Sequence, residues 1–111
     1  MDKIEKYRQI VQEVLSKYGG FKGIPREVES QVVFDTVRDH YQIVNVGWRE
    51  LDRTYGCPIH IDIKEGKLWI QQNLTDYDFI GEMVEKGIPK EDIVLAFHPP
   101  YKRPYTGFAV A

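Results

Sequence analysis

IHIDIKEGKLWIQ, residues 59–71, decides the fold. Apolar and polar side chains alternate through Ile59–Ile63, break at Glu65-Gly66, and alternate again from Leu68. A period of two sends successive side chains to opposite sides of a strand, and an acidic residue followed by glycine suits a tight hairpin turn. A two-residue turn sets Lys64 opposite Lys67, Asp62 opposite Trp69 and His60 opposite Gln71. One sheet face then carries His60, Asp62, Trp69 and Gln71, while the other buries Ile61, Ile63, Leu68 and Ile70. A slip of one residue would exchange the faces along a whole strand.

The same period extends toward the N-terminus. A strand over about 27–36 places Val28, Ser30, Val32 and Phe34 on one face. After a polar turn at Arg38-Asp39, a second runs from about His40 to Trp48, with Gln42, Val44, Val46 and Trp48 on one face and Tyr41, Ile43 and Asn45 on the other. Residues 49–53 form a charged turn. The third strand, Thr54–Lys64, aligns Tyr55 and Cys57 with Ile59, Ile61 and Ile63. Pro58 conflicts with a regular ladder because it has no N–H to donate, so a bulge or edge segment is expected there. With Lys67–Gln72 this makes a four-stranded antiparallel meander.

Helical patterns flank the meander. Ile4, Tyr7, Val11, Val14, Leu15 and Tyr18 recur at helical spacing over residues 2–18, with Asp2 and Glu5 as a capping box and Gly19-Gly20 as the stop. A connector, FKGIPR at 21–26, follows. A second helix is expected from an N-cap at Thr75, with Phe79, Ile80, Met83 and Val84 inward and Gly87 at its end. Residues 88–92 turn into a fifth strand, Ile93–Phe97. The tail HPPYKRPYTGFAVA holds three prolines and reads as an extended, packed segment bearing Tyr101, Tyr105 and Phe108. The order α-β-β-β-β-α-β predicts an α+β fold: a mostly antiparallel sheet, four meander strands plus a fifth, with helices on one face.

At 111 residues the chain suits a single domain, 1–111, and its 42% hydrophobic content is enough for a core. The formal charge of −2 is the reverse of the positive excess that supplies most DNA affinity. One cysteine, Cys57, precludes an internal disulfide, and no Cys/His spacing matches a zinc motif. The N-terminus lacks a secretory pattern and no apolar run approaches the length of a bilayer span, so a cytoplasmic protein without membrane association is expected.

Few residues suggest chemistry. His60 and Asp62 share a strand face and could pair as acid and base, but the candidate nucleophile Cys57 falls in the apolar row, where it reads as a small buried hydrophobe. His98, at a strand end before two prolines, could be catalytic or metal-binding, or could cap the strand or meet the tail. Tyr101-Lys102-Arg103-Pro104-Tyr105 puts rings beside cations, as single-stranded nucleic-acid sites do, though two cations are few; the alternative is that both tyrosines cover the core's edge. No phosphate loop, dinucleotide fingerprint or hydrolase elbow is present, and Gly19–Gly23 follows a helix rather than preceding one. Trp48, Trp69, Tyr77, Tyr101 and Tyr105 exceed what so small a core readily hides, and such residues favour protein interfaces. Trp48, Trp69, Gln71, Tyr101, Lys102, Arg103 and Tyr105 are the expected partner-binding residues. No catalytic, cofactor or metal residue is assigned.

Blocks along the whole chain resemble the XisI family, the fdxN-element excision controlling factors. They include Phe34-Asp35, Arg38–Gln42, Val46–Trp48, Tyr55–Cys57, His60–Ile63, Gly66–Gln72 and, most specifically, Gly87–His98 running into Pro100–Arg103 and the ending Phe108–Ala111. Leu51-Asp52, Asn73-Leu74 and Gly107 depart from the pattern in turns. The resemblance implies an accessory role in a DNA rearrangement of heterocyst-forming cyanobacteria, where a site-specific recombinase cuts and XisI accompanies a second factor, XisH. It implies no catalytic residues and no cofactor. The expected function is therefore a non-enzymatic control protein that binds a XisH-like protein, is expected to form homo-oligomers, and touches DNA weakly or indirectly. The alternatives are an antitoxin-like or direct DNA-binding module, or an enzyme using His60 and Asp62.

Overall fold

The computed structural model describes residues 2–19 and 27–111. The expected connector 21–26, and with it Gly20, Lys22 and Arg26, lies outside the described residues.

Helix α1 spans Lys3–Gly19. Asp2 Oδ1 accepts from Glu5 N at 2.8 Å, one half of the expected box, while Glu5 Oε2 accepts from Arg8 Nη1 at 3.1 Å instead of turning back. Its buried stripe is Tyr7, Ile10, Val11, Val14 and Leu15, with Ile4 and Tyr18 at the margins. Strands β1 (Val28–Asp35), β2 (His40–Arg49), β3 (Asp52–Lys64) and β4 (Lys67–Asn73) form the antiparallel meander, in spatial order. The turn at 49–53 is tighter than expected: Arg49 pairs with Asp52, leaving Glu50 and Leu51 as the loop, with Glu50 at φ 58°. Glu65 and Gly66 both take positive φ, 53° and 79°, the twist that joins right-handed strands without splaying them.

Helix α2 (Phe79–Glu85) starts later than the sequence suggested. Asp78, not Thr75, is the N-cap, and its Oδ1 accepts from Gly81 N at 2.9 Å. Thr75 Oγ1 instead accepts from Tyr77 N in the preceding turn, because the chain must first leave the sheet edge, where Leu74 N donates to Pro58 O at 2.8 Å. The helix closes as a Schellman motif: Gly87, at φ 117°, donates to Val84 O, and Ile88 donates to Met83 O. Strand β5 is short, Ile93–Val94, and parallel to β4, as a helical crossover requires. Beyond it Phe97 N still reaches Ile70 O at 3.1 Å, but Ala96 and Phe97 already turn.

Tyr41, Ile43, Ile59, Ile61, Leu68, Ile70 and Ile93 form the inner sheet face and pack on α1, Phe79 and Met83. A clamp fixes α1 over the β1–β2 turn. Arg8 Nε and Nη2 bond both Asp39 oxygens at 2.8 and 3.1 Å, and Tyr41 donates its hydroxyl to Asp39 Oδ1 at 2.8 Å. The tail is not simply extended. Arg103–Tyr105 form a 3-10 turn; Phe108 packs on the core; Ala109 N donates to Ile93 O at 2.9 Å, covering the β5 edge.

Candidate functional site

The site on the outer sheet face is built by an irregularity in β3. Near the β2–β3 loop, Trp48 pairs with Arg53 and Asn45 with Gly56. Beyond the bulge the register is one residue out of step, so that Ile43 pairs with Ile59, Gln42 with His60 and His40 with Asp62. The extra residue falls at Cys57-Pro58, where proline cannot continue the ladder. Directly paired residues share a face, so the shift brings His40 and Gln42 beside His60 and Asp62. Without it, His40 would oppose Ile61.

The bulge also removes Cys57 from the apolar row in which the period placed it. Its Sγ donates to Ile59 O at 3.2 Å and lies 3.6 Å from Gln42 Nε2, beside the polar cluster. Burial pushes the thiol up, partly offset by the Gln42 and Ile59 hydrogen bonds. A reactive cysteine needs the opposite shift. A second bulge, in β4, sets Gln72 rather than Gln71 opposite His60. Gln71 nevertheless keeps the face expected of it, since its Nε2 donates to Asp62 Oδ2 at 3.2 Å.

Asp62 is the hub. His40 Nδ1 lies 2.7 Å and His60 Nε2 2.8 Å from Asp62 Oδ1, and His60 Nδ1 stands 3.5 Å from Gln42 Nε2. Burial works to raise the Asp62 carboxyl, but hydrogen bonds from His40 and His60 outweigh it and hold the group below the usual carboxylate range. His98 does not join this cluster. Its ring lies tilted against Phe97 with centroids 4.5 Å apart, and its carbonyl accepts from Arg103 Nε at 3.0 Å, so it meets the tail.

The expected partner-binding residues divide into two groups. Trp69 and Arg103 meet, with the guanidinium 5.8 Å from the ring centroid and the Lys64 ammonium 4.2 Å from the same ring. Arg103 is thereby a structural tie, which also reaches Val110 O. Among the described residues the Trp69 indole N–H is buried without a partner. Gln71 belongs to the Asp62 cluster. Trp48, Tyr101 and Tyr105 instead project outward, 51%, 72% and 89% exposed, and Lys102 is exposed beside the tyrosines. The tyrosines thus do not cover the core's edge; Phe108 does. Arg53 lies over Trp48, 5.4 Å from its ring centroid.

His40 is the residue the sequence reading missed. Its signal was available only in combination: it shares a strand face with Gln42, and Pro58 announced a bulge, yet the shift in pairing had to be applied to see it meet Asp62.

The chain matches the family described as XisI protein over residues 1–110. Comparison with curated proteins found no match. Among solved structures, a XisI-like protein from Anabaena variabilis ATCC 29413 is 48% identical, with a TM-score of 0.90 over 99% of this chain and 100% of that one. The fdxN element excision controlling factor XisI from the same strain is 35% identical, with a TM-score of 0.85 over 99% of this chain and 100% of that one.

Proposed function

Because this chain belongs to the XisI family, we propose that it is a non-catalytic controlling factor for excision of a DNA element, acting by binding a XisH-like protein. The observation that carries the partner-binding part is the outward projection of Trp48, Tyr101 and Tyr105 from well-fixed backbone. The tail that bears the tyrosines is held by Arg103, by its 3-10 turn and by Ala109 on Ile93. Large rings presented on a rigid support dock with little further loss of conformational freedom. The net charge of −2 and the engagement of Arg103 within the fold favour a protein over DNA as the direct partner. The raised Cys57 thiol disfavours a covalent catalyst beside His60. Among the described residues no helix is long and apolar enough to cross a membrane, and a cytoplasmic setting and self-association belong to the same proposal.

Co-expression with a XisH-like protein tests it. The untagged partner should co-purify, and the combined Trp48→Ala, Tyr101→Ala and Tyr105→Ala variant should bind at least about tenfold more weakly while melting near the parent, since exposed rings carry interface energy but little stability. Failure of the parent to associate, or unchanged binding by the folded triple variant, would remove the proposal. Sedimentation across micromolar concentrations tests the self-association separately.

A further inference from the structure

We propose that His40, His60 and Asp62 form a binding site for a divalent transition-metal ion of the zinc type. The residues are two imidazoles and one carboxylate, held on adjacent strands β2 and β3. One ligand atom from each lies within 4.8 Å of the others. Two imidazoles and a carboxylate are a donor set that zinc and its first-row neighbours take up, whereas magnesium and calcium prefer oxygen alone.

The existing bonds define the rearrangement. Asp62 Oδ1 now stands 2.7 Å from His40 Nδ1 and 2.8 Å from His60 Nε2. Donors about 2.0–2.1 Å from a common ion sit roughly 3.0–3.4 Å apart. Each ring must therefore move about half an ångström away from the carboxylate oxygen and present an unprotonated nitrogen to the ion. Supporting contacts are in place. Gln71 donates to Asp62 Oδ2 at 3.2 Å, orienting the carboxylate through the oxygen that is not shared. Gln42 stands 3.5 Å from His60 Nδ1, and a turn of its amide offers an oxygen to the N–H that the metal-binding tautomer carries there. The His40, His60 and Asp62 side chains are 49%, 30% and 18% exposed, so an ion can enter from solvent. Three protein donors leave a coordination position for water. The site was hidden from spacing rules because His40 and the pair His60/Asp62 come from different strands, aligned only by the bulge.

Zinc titration of the full chain, with any tag removed and followed by calorimetry near neutral pH, tests the proposal independently of partner binding. One equivalent should bind, and His40→Ala, His60→Ala and Asp62→Asn should each weaken it by tenfold or more. His98→Ala, the remaining histidine, should leave it unchanged. Circular dichroism checks that each variant is folded. Cobalt provides a second readout, because its visible absorption in the parent should be lost in the three site variants. No binding by the parent at tens of micromolar zinc, or equal binding by parent and folded site variants, would overturn the assignment.

Discussion

Two glycines in facing strands should respond very differently to an added methyl. At Gly47 the new Cβ would lie 2.0 Å from the Glu27 carbonyl oxygen and 2.7 Å from Val28 Cα. Carbon–oxygen contacts between strands run at about 3.3 Å or more, so about 1.3 Å of separation is missing. The obstructing atoms are backbone, and Glu27 O also accepts from Trp48 N at 3.2 Å, so neither side can turn away without parting β1 from β2. Overpacking of this kind costs about 1–3 kcal/mol, and a weakened strand hydrogen bond adds about 1. Gly47→Ala should therefore lose about 3 kcal/mol, which for a domain of this length lowers Tm by about 12 °C. At Gly56 no atom lies within 4 Å of the built Cβ, and Gly56→Ala should stay within about 0.5 kcal/mol of the parent. Thermal melts and urea midpoints of both variants decide the matter. A Gly47→Ala protein melting within about 2 °C of Gly56→Ala would refute the close approach of β1 on which the estimate rests.

Three further outcomes follow from the same geometry. Asp78→Ala should destabilise by about 1 kcal/mol through loss of the α2 cap, and Thr75→Ala by clearly less; urea midpoints in the reverse order would return the cap to Thr75. Asp39 is held below its ordinary value, first by the Arg8 hydrogen bond, so the folded state binds its proton less readily than the unfolded chain. Its stabilising contribution is full above about pH 4 and fades as pH falls through the folded-state value, so the gap in stability between parent and Asp39→Asn should narrow on acidification, and a gap constant from neutral to about pH 3 would contradict the clamp. The Cys57 thiol, pushed up by burial, should react with a disulfide reagent much more slowly in the native protein at neutral pH than in urea; equal rates would mean the bulge leaves it open.

Much of the architecture was legible because it rests on local periodicity. Alternation through Ile59–Ile63 and Leu68–Ile70, with a glycine turn between, gave β3, β4 and the pairing of Asp62 with Trp69. Helical spacing over residues 2–18 gave α1, Lys3–Gly19, and its inward face. Pro58 even marked the bulge. Less local features were harder to read. The start of α2 depends on how the chain leaves Pro58 and Leu74 at the sheet edge, and the shortness of β5 on where the tail crosses back.

The amino-acid order by itself determined how the four meander strands pair, which faces are mostly apolar, and the family to which the chain belongs. Tertiary structure alone decided which residues of β2 join His60 and Asp62. A bulge displaces every subsequent pair by one residue, so the small irregularity at Cys57-Pro58 turned Cys57 toward Gln42 and placed His40 on Asp62. Local periodicity cannot convey that displacement, because it assumes an unbroken alternation and does not say which neighbour a residue finds across the strands.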